Sequence, residues 1–301
     1  MIEIINIKKT YNKGSVVALN DFHLSIQQGE LFGLIGPDGA GKTSLIRIIS
    51  SLLLPDRGSV TVLGHDVVKE YEYIRSIIGY MPGKFSLYQD LSVEENLNFF
   101  AKVFNADIQK NYHLIKELYD QLSPFKNRRA GKLSGGMKQK LALCCALIHE
   151  PKLLLLDEPT TGVDPVSRKE FWDMLLRLKA KGITILVSTP YMDEATLCDR
   201  VVLIQEGKIL DIGTPDEICN KSGLFIFAIK SSEEYKLIKA LQLYENIVSA
   251  YSFGNHIHTQ IKDQDPDKLN QYLIGCGIHD FSIERVKPGI EDVFMHKMVA
   301  A

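Results

Sequence analysis

Gly36-Pro37-Asp38-Gly39-Ala40-Gly41-Lys42-Thr43, followed by Ser44, is the stretch on which the reading of this chain turns. It matches in full the pattern of Gly, four residues, Gly-Lys and then Ser or Thr. Glycines at these places let backbone N–H groups turn inward around phosphates, and the start of a following helix adds its dipole. The surroundings give the motif its weight. Leu31-Phe32-Gly33-Leu34-Ile35 is a short apolar run that reads as a strand, and Ser44 to Leu52 has helical spacing that stops before Pro55. In that setting Lys42 is placed to contact β- and γ-phosphates and the Thr43 hydroxyl to hold Mg²⁺. Gly36, Asp38, Gly39, Ala40, Gly41, Lys42, Thr43 and Ser44 form the candidate phosphate cradle.

The second half of the chemistry lies downstream. Lys152-Leu153-Leu154-Leu155-Leu156-Asp157 is apolar until its last residue, as a parallel strand covered on both faces should be. An acid at the end of such a strand points at the Mg²⁺ that Thr43 would hold. Glu158, next to it, can polarise an attacking water as a general base. Standing alone, Asp157-Glu158 would read as a surface turn; the complete cradle upstream outweighs that.

Strand and helix patterns alternate around these motifs, which argues a mostly parallel sheet. Strands are expected at 2–7, 31–35, 59–63, 77–80, 152–157, 183–188, 201–204 and 208–211. Residues 85–150 read as a helical subdomain inserted into the α/β core. After Asn220-Lys221-Ser222-Gly223 the pattern restarts as a smaller unit. The expected division is 1–220 for the core with its insertion and 221–301 for a C-terminal α/β domain. There His256, His258 and His279 show no metal spacing and read as structural or solvated.

Composition bounds the partners. Of 301 residues, 45% are hydrophobic and 24% charged, which is ordinary for a globular chain. Lys and Arg number 35 against 37 Asp and Glu, a formal charge of −2, which leaves no electrostatic footprint for nucleic acid. Five cysteines without a CxxC pair argue against a zinc site or disulfide framework and fit a reducing compartment. The N-terminal residues lack a signal-peptide pattern, and no apolar run reaches the length of a membrane span.

Leu133-Ser134-Gly135-Gly136-Met137 sits between the two halves. Alone it could be a loop and a helix cap, with Ser134 as the cap. In this order with the other motifs, residues 1 to about 220 resemble the ATP-binding subunit of ATP-binding-cassette (ABC) transporters, whose signature is Leu-Ser-Gly-Gly-Gln. The resemblance implies a P-loop NTPase (RecA-like) α/β fold, an ATPase activity, and ATP with Mg²⁺ as ligands. It also implies a head-to-tail dimer, in which Ser134, Gly135 and Gly136 meet the γ-phosphate held by the partner's P-loop. Tyr11 matches the aromatic that stacks on adenine, with a half-buried structural tyrosine as the other reading. Gly162-Val163-Asp164 matches the loop that crosses the dimer interface, or an ordinary turn before Pro165. Asp38 stands where the family more often has Asn, so its side chain should point away or be paired.

Two positions depart from the family. Gly79-Tyr80-Met81-Pro82 is followed by Gly83 where the family has a Gln that coordinates Mg²⁺ and the attacking water. Ser188-Thr189 is followed by Pro190 where the family has a His that contacts the γ-phosphate. Losing one such donor typically costs about 10²–10³-fold in rate. The site on this chain's own P-loop is therefore expected to bind ATP and Mg²⁺ and hydrolyse slowly, while its signature completes a partner's site.

Phe85 to Leu97 and the terminal Pro288-Gly289-Ile290-Glu291-Asp292-Val293-Phe294 resemble the multidrug-exporter (ABC-2) branch. Partners implied are integral membrane permease subunits, faced by segment 85–97, and a second ATP-binding subunit. A heterodimer is favoured and a homodimer is the runner-up. Ser92 with Glu95 also reads as a capping box, and both readings can hold. The implied location is cytoplasmic, peripheral on the inner face of the cell membrane. The alternative is a soluble ABC-type ATPase acting as a regulatory or translation-related switch.

Overall fold

Short all-apolar segments alternating with amphipathic ones set the architecture of this computed structural model, which describes residues 1–263 and 265–300. Gln264 and Ala301, taken above into the C-terminal domain, lie outside the described residues. The chain divides into two units, Met1–Thr214 and Pro215–Ala301.

In the first unit, β1 (Ile2–Tyr11) buries Ile2, Ile4 and Ile7. The extra residue in that alternation is a bulge, with Asn6 at φ +53°. β2 (Val16–Ile26) pairs with it antiparallel. β3 (Leu31–Ile35) is buried throughout and leads through the glycine-rich loop into α1 (Lys42–Ile49). β4 (Arg57–Val62) and the two-residue β5 (His65–Asp66) follow, and α2 (Tyr71–Ile77) runs directly into β6 (Ile78–Met81). The inserted helices are α3 (Val93–Val103), α4 (Ile108–Leu122) and α5 (Gly135–Leu147). Each begins on a polar cap that satisfies otherwise orphaned N–H groups: the Ser92/Glu95 capping box, Asp107 and Ser134. β7 (Leu153–Asp157), α6 (Pro165–Ala180), β8 (Thr184–Thr189), β9 (Arg200–Gln205) and β10 (Lys208–Gly213) complete the unit.

The main sheet has the order β10-β9-β3-β8-β7-β6, parallel except for β10. A second, antiparallel sheet of order β2-β1-β4-β5 shares one hydrophobic core with it and with α1. Leu153, Leu154, Leu155 and Leu156 are fully buried, each contributing about 1.5–3 kcal/mol relative to exposure. This rigid backing holds the carboxyl ends of β3, β7 and β8 in register. Trp172 on α6 is buried at 2% exposure, and its indole N–H has no hydrogen-bond partner. All five cysteines are free. Among the described residues no helix is long and apolar enough to cross a membrane.

The second unit begins with α7 (Pro215–Lys221) and continues as β11 (Ile226–Ser231), α8 (Glu234–Leu243), β12 (Ile247–Phe253), β13 (His256–Ile261), α9 (Pro266–Gly275), β14 (Phe281–Val286) and α10 (Ile290–Ala300). Its sheet, β12-β13-β11-β14, is antiparallel throughout, the split βαβ arrangement. Helices α8 and α9 pack Leu237, Leu241, Leu269 and Leu273 with Phe227 and Ile229 of the sheet. The opposite face is tied to α10 by Asp292, 2% exposed, which accepts from Tyr251 and lies 2.8 Å from His258 Nδ1. His258 is thus a structural histidine, while His256 and His279 are exposed.

Sequence patterning leaves out β2, α2 and α7. β2 carries Asp21 at φ +52°, which breaks its alternation, and α2 has no side-chain cap to announce it. Between β8 and β9, Met192–Leu197 form a 3-10 turn.

Candidate functional site

The carboxyl ends of β3, β7 and β8 lie side by side, with Ile35 opposite Thr189 and Asp157 opposite Ser188. Ligands of parallel sheets bind just outside such ends. The loop leaving β3 is fixed there by contacts that only glycine permits. A Cβ on Gly36 would stand 2.2 Å from the Ile204 carbonyl oxygen, and one on Gly41, at φ +107°, 2.2 Å from that of Ala18. The Gly36 N–H donates to the Thr189 carbonyl at 3.3 Å.

Lys42 is 3% exposed, and its ammonium donates to the carbonyls of Gly36 at 2.7 Å and Pro37 at 3.0 Å. It also stands 3.0 Å from Glu158 Oε1. The Thr43 hydroxyl donates to Asp157 Oδ1 at 3.1 Å. Ser188 Oγ donates to the same oxygen at 2.8 Å and accepts from the Glu158 N–H at 2.9 Å. Burial pushes the Asp157 carboxyl above its ordinary range, and the Glu158 charge adds to this; Ser188, Thr43 and Arg47 oppose it. Glu158 itself sits at φ +51°, in the left-handed region.

Tyr11 is half exposed, and its hydroxyl lies 3.0 Å from Ser44 Oγ. Tyr11, Gly39, Ala40, Gly41, Lys42, Thr43, Ser44 and Glu158 line a cleft of about 310 Å³ with Val16 and Ala18. Asp38 is exposed on the loop.

The cleft fits a nucleotide phosphate chain. The helix start leaves backbone N–H groups without intrahelical partners, and Lys42 is a buried cation held beside them. Among the described residues no cluster of three or more His, Cys, Asp and Glu could hold a metal ion. Mg²⁺ needs no such cluster: one or two protein oxygens with phosphate and water suffice, and the Thr43 hydroxyl and Asp157 carboxylate are oxygens that could hold it.

Ser134, Gly135 and Gly136 are in a different place. Ser134 Oγ accepts from the Met137 N–H at 3.3 Å and starts α5. A Cβ on Gly136 would stand 2.6 Å from Ser167 Oγ, and one on Gly135 3.8 Å from the Gly162 carbonyl oxygen. Gly135 therefore lies against the loop before α6 and Gly136 against the first turn of α6, and none of the three signature residues lines the cleft around Lys42. That loop is capped by Asp164, which accepts from the Ser167 N–H at 2.9 Å.

Gly83 passes close behind the acidic pair. A Cβ there would be 2.9 Å from the Asp157 carbonyl oxygen and 3.9 Å from Glu158 Cβ. Pro190 follows Thr189, whose carbonyl anchors Gly36. Sequence reasoning missed Ser188 as a hinge between Asp157 and Glu158. Its position opposite Asp157 appears only once the strands are paired.

Comparison with known proteins identifies relatives of the chain. A family model described as ABC transporter matches residues 19–161. The chain is 38% identical over 300 residues to the "Probable multidrug ABC transporter ATP-binding protein YbhF" of Escherichia coli (strain K12), covering 98% of this chain and 51% of that protein. It thus spans about half the length of that relative. It is 39% identical over 227 residues to the "Doxorubicin resistance ATP-binding protein DrrA" of Mycobacterium tuberculosis, covering 74% of this chain and 69% of the relative. With "Nod factor export ATP-binding protein I" of Rhizobium sp. (strain N33) the identity is 34% over 299 residues, covering 98% and 95%. Among solved structures, an "ATP binding subunit of ABC transporter" matches with a TM-score of 0.67 at 30% identity, covering 74% of this chain and 93% of that one. The dimeric cassette MJ0796 bound to ADP and Pi matches at 0.65 and 26%, covering 71% and 98%.

Proposed function

The chain belongs to the ATP-binding proteins of the ABC transporter family, and from that premise we propose that it is the energising subunit of an exporter, working in a head-to-tail dimer whose two nucleotide sites are unequal. The observation that carries this reading is the separation of the P-loop cleft from the signature residues. Gly135 and Gly136 sit beside Gly162 and Ser167, and with Ser134 they stay out of the lining around Lys42, so each chain supplies two half-sites.

In the proposed mechanism, ATP enters the cleft with its adenine against Tyr11. Lys42 exchanges Glu158 and loop carbonyls for β- and γ-phosphate oxygens. Thr43 and Asp157 would hold Mg²⁺, which when bound would neutralise charge developing on the phosphates. Glu158, freed from Lys42, accepts a proton from the attacking water. Ser134 and the N–H groups of Gly135 and Gly136 close on the γ-phosphate of the partner's nucleotide, an anion at a helix start. Gly83 and Pro190 leave this chain's own cleft without two side chains that would act in the transition state, so its turnover is slow. Such asymmetry favours a heterodimer.

The permease subunits dock on the helical insertion. Between α3, α5 and β6 runs a mostly apolar cleft of about 580 Å³, with Leu52, Tyr80, Leu87, Phe100 and Val103 on its walls. It lies beside segment 85–97 and suits an amphipathic helix laid into it. The location that follows is the cytoplasmic face of a membrane, held there by permeases.

ATP turnover by the isolated chain, and by the chain mixed with a paralogous ATP-binding subunit, tests the reading. Slow turnover alone and acceleration in the mixture support it. Brisk turnover by the chain alone overturns the unequal-site part. Pull-downs that yield ribosomes instead of an integral membrane protein overturn the exporter assignment.

A further inference from the structure

Glu194 is 2% exposed and sits on the turn Met192–Leu197, outside the cleft and its lining. A carboxylate buried that deeply persists only with donors or a cation around it. It has both. The Thr160 hydroxyl donates to Oε1 at 2.9 Å, the Thr189 hydroxyl donates to Oε2, and Arg168 Nε stands 3.4 Å from Oε1. Arg168 also pairs with Asp193 and lies over the Tyr191 ring at 4.7 Å.

The three partners come from three places that matter. Thr160 lies two residues beyond Glu158. Arg168 lies in the first turns of α6, just past Gly162-Val163-Asp164 and Ser167. Thr189 ends β8, one residue before Pro190. One buried carboxylate therefore ties both ends of the loop before α6 to the end of β8. Glu158, in a left-handed conformation, depends on its surroundings to stay there. Its own N–H is held by Ser188. Neighbouring residues of β8 thus hold the segment from both sides, Ser188 directly and Thr189 through Glu194.

We propose that Glu194 is a positioning residue for ATP hydrolysis: it fixes the aim of Glu158 and the place of the 162–164 loop without touching nucleotide. The proposal rests on the roles given to Glu158 and that loop under Proposed function. Pro190 contributes no side-chain donor, so the end of β8 acts on the site through this carboxylate instead.

The test uses the full chain with E194A, E194Q and T160V. Three readouts are amide hydrogen exchange over 158–168, the kcat and KM of ATP turnover, and ATP-driven dimer formation. In E194A, exchange over 158–168 rises about tenfold or more while β7 and α1 stay protected. Its kcat falls about 10- to 100-fold with KM within about twofold of wild type, as expected of lost aim with intact binding. E194Q still accepts from one threonine through its amide oxygen and can donate its NH2 to the other, so it recovers most of the loss. T160V, nearly isosteric and able to fold even where E194A does not, lowers kcat in the same direction.

Unchanged exchange in E194A and unchanged kcat in T160V overturn the proposal. So does a KM that rises in step with the fall in kcat, or an E194Q no better than E194A. A wild-type chain that turns over ATP while remaining monomeric overturns the dimer reading instead, and exchange with the kcat and KM split still decides Glu194.

Discussion

The Lys42 ammonium stands 3.0 Å from Glu158 Oε1, so the cation proposed for phosphate and the carboxylate proposed for water satisfy each other. Nucleotide binding has to part them. Replacing Glu158 by Gln removes the competitor for Lys42 and the proton acceptor together. E158Q is expected to bind ATP more tightly by about 1 kcal/mol, or about fivefold in Kd. Its turnover should fall about 10²–10⁴-fold. Equilibrium titration with a fluorescent ATP analogue, beside phosphate release, separates the two. Weaker binding by E158Q contradicts the competition.

Asp157 makes the nucleotide-free chain less stable than it could be. Its folded pKa lies above the unfolded value of 3.8, chiefly through burial. The unfolded chain therefore loses this proton first as pH rises, so stability falls from pH 3.8 up to the folded value and the cost is full above it. D157N keeps an acceptor for Thr43 and Ser188 and removes the charge. It should raise the Tm of the nucleotide-free chain by about 2–4 °C for each kcal/mol recovered, while Mg²⁺-dependent turnover is lost. A lower Tm in D157N would mean that the bonds from Thr43 and Ser188 to the charged carboxylate outweigh the cost of burying it.

His149 has the opposite sign. It stacks on Phe104 at 3.9 Å between ring centroids and its Nε2 lies 3.0 Å from the Ile78 carbonyl oxygen. Burial holds its pKa below 6.5. The unfolded chain takes up a proton first as pH falls through 6.5, so stability is full above that value and declines below it. Urea midpoints at about pH 7.5 and 5.5 should differ more in wild type than in H149Q, which cannot titrate.

Gly83 and Pro190 predict different responses to restoration. P190H adds a donor at the end of β8 and should raise turnover about tenfold or more, the scale of one transition-state contact. G83Q should not do so alone, because its Cβ would be driven to 2.9 Å from the Asp157 carbonyl oxygen. Overpacking there is expected to cost about 1–3 kcal/mol. Turnover unchanged in P190H would sink the view that this site is weakened by its proline.

Asp292 holds α10 to its sheet. D292A strands His258 and Tyr251 without their shared acceptor and should cost the second unit about 3 kcal/mol. Urea unfolding followed by circular dichroism, with the tyrosine bands as local markers, measures this. D292N, which still accepts, should lose less.

The phosphate loop, the acid at the end of β7 and the helical insertion were legible because each is written in consecutive residues. Gly36 to Thr43 carries its own chemistry, and four leucines in a row announce a strand with no exposed face. What stayed hidden depends on strand order. Ser188 serves Asp157 from 31 positions away, and Thr160 reaches Glu194 across 34. β2 was obscured for another reason: the bulge at Asp21 erases the alternation by which it would be known, and of β1 only residues 2–7 were read.

Trp172 has a use that is unconnected with catalysis. It is the only tryptophan of the chain, whereas tyrosines number twelve. Its indole is enclosed in the first unit with no hydrogen-bond acceptor, the setting of a blue-shifted emitter. Excited selectively, it reports the melting of Met1–Thr214 and not that of Pro215–Ala301, so unlabelled protein can follow the first unit apart from the second.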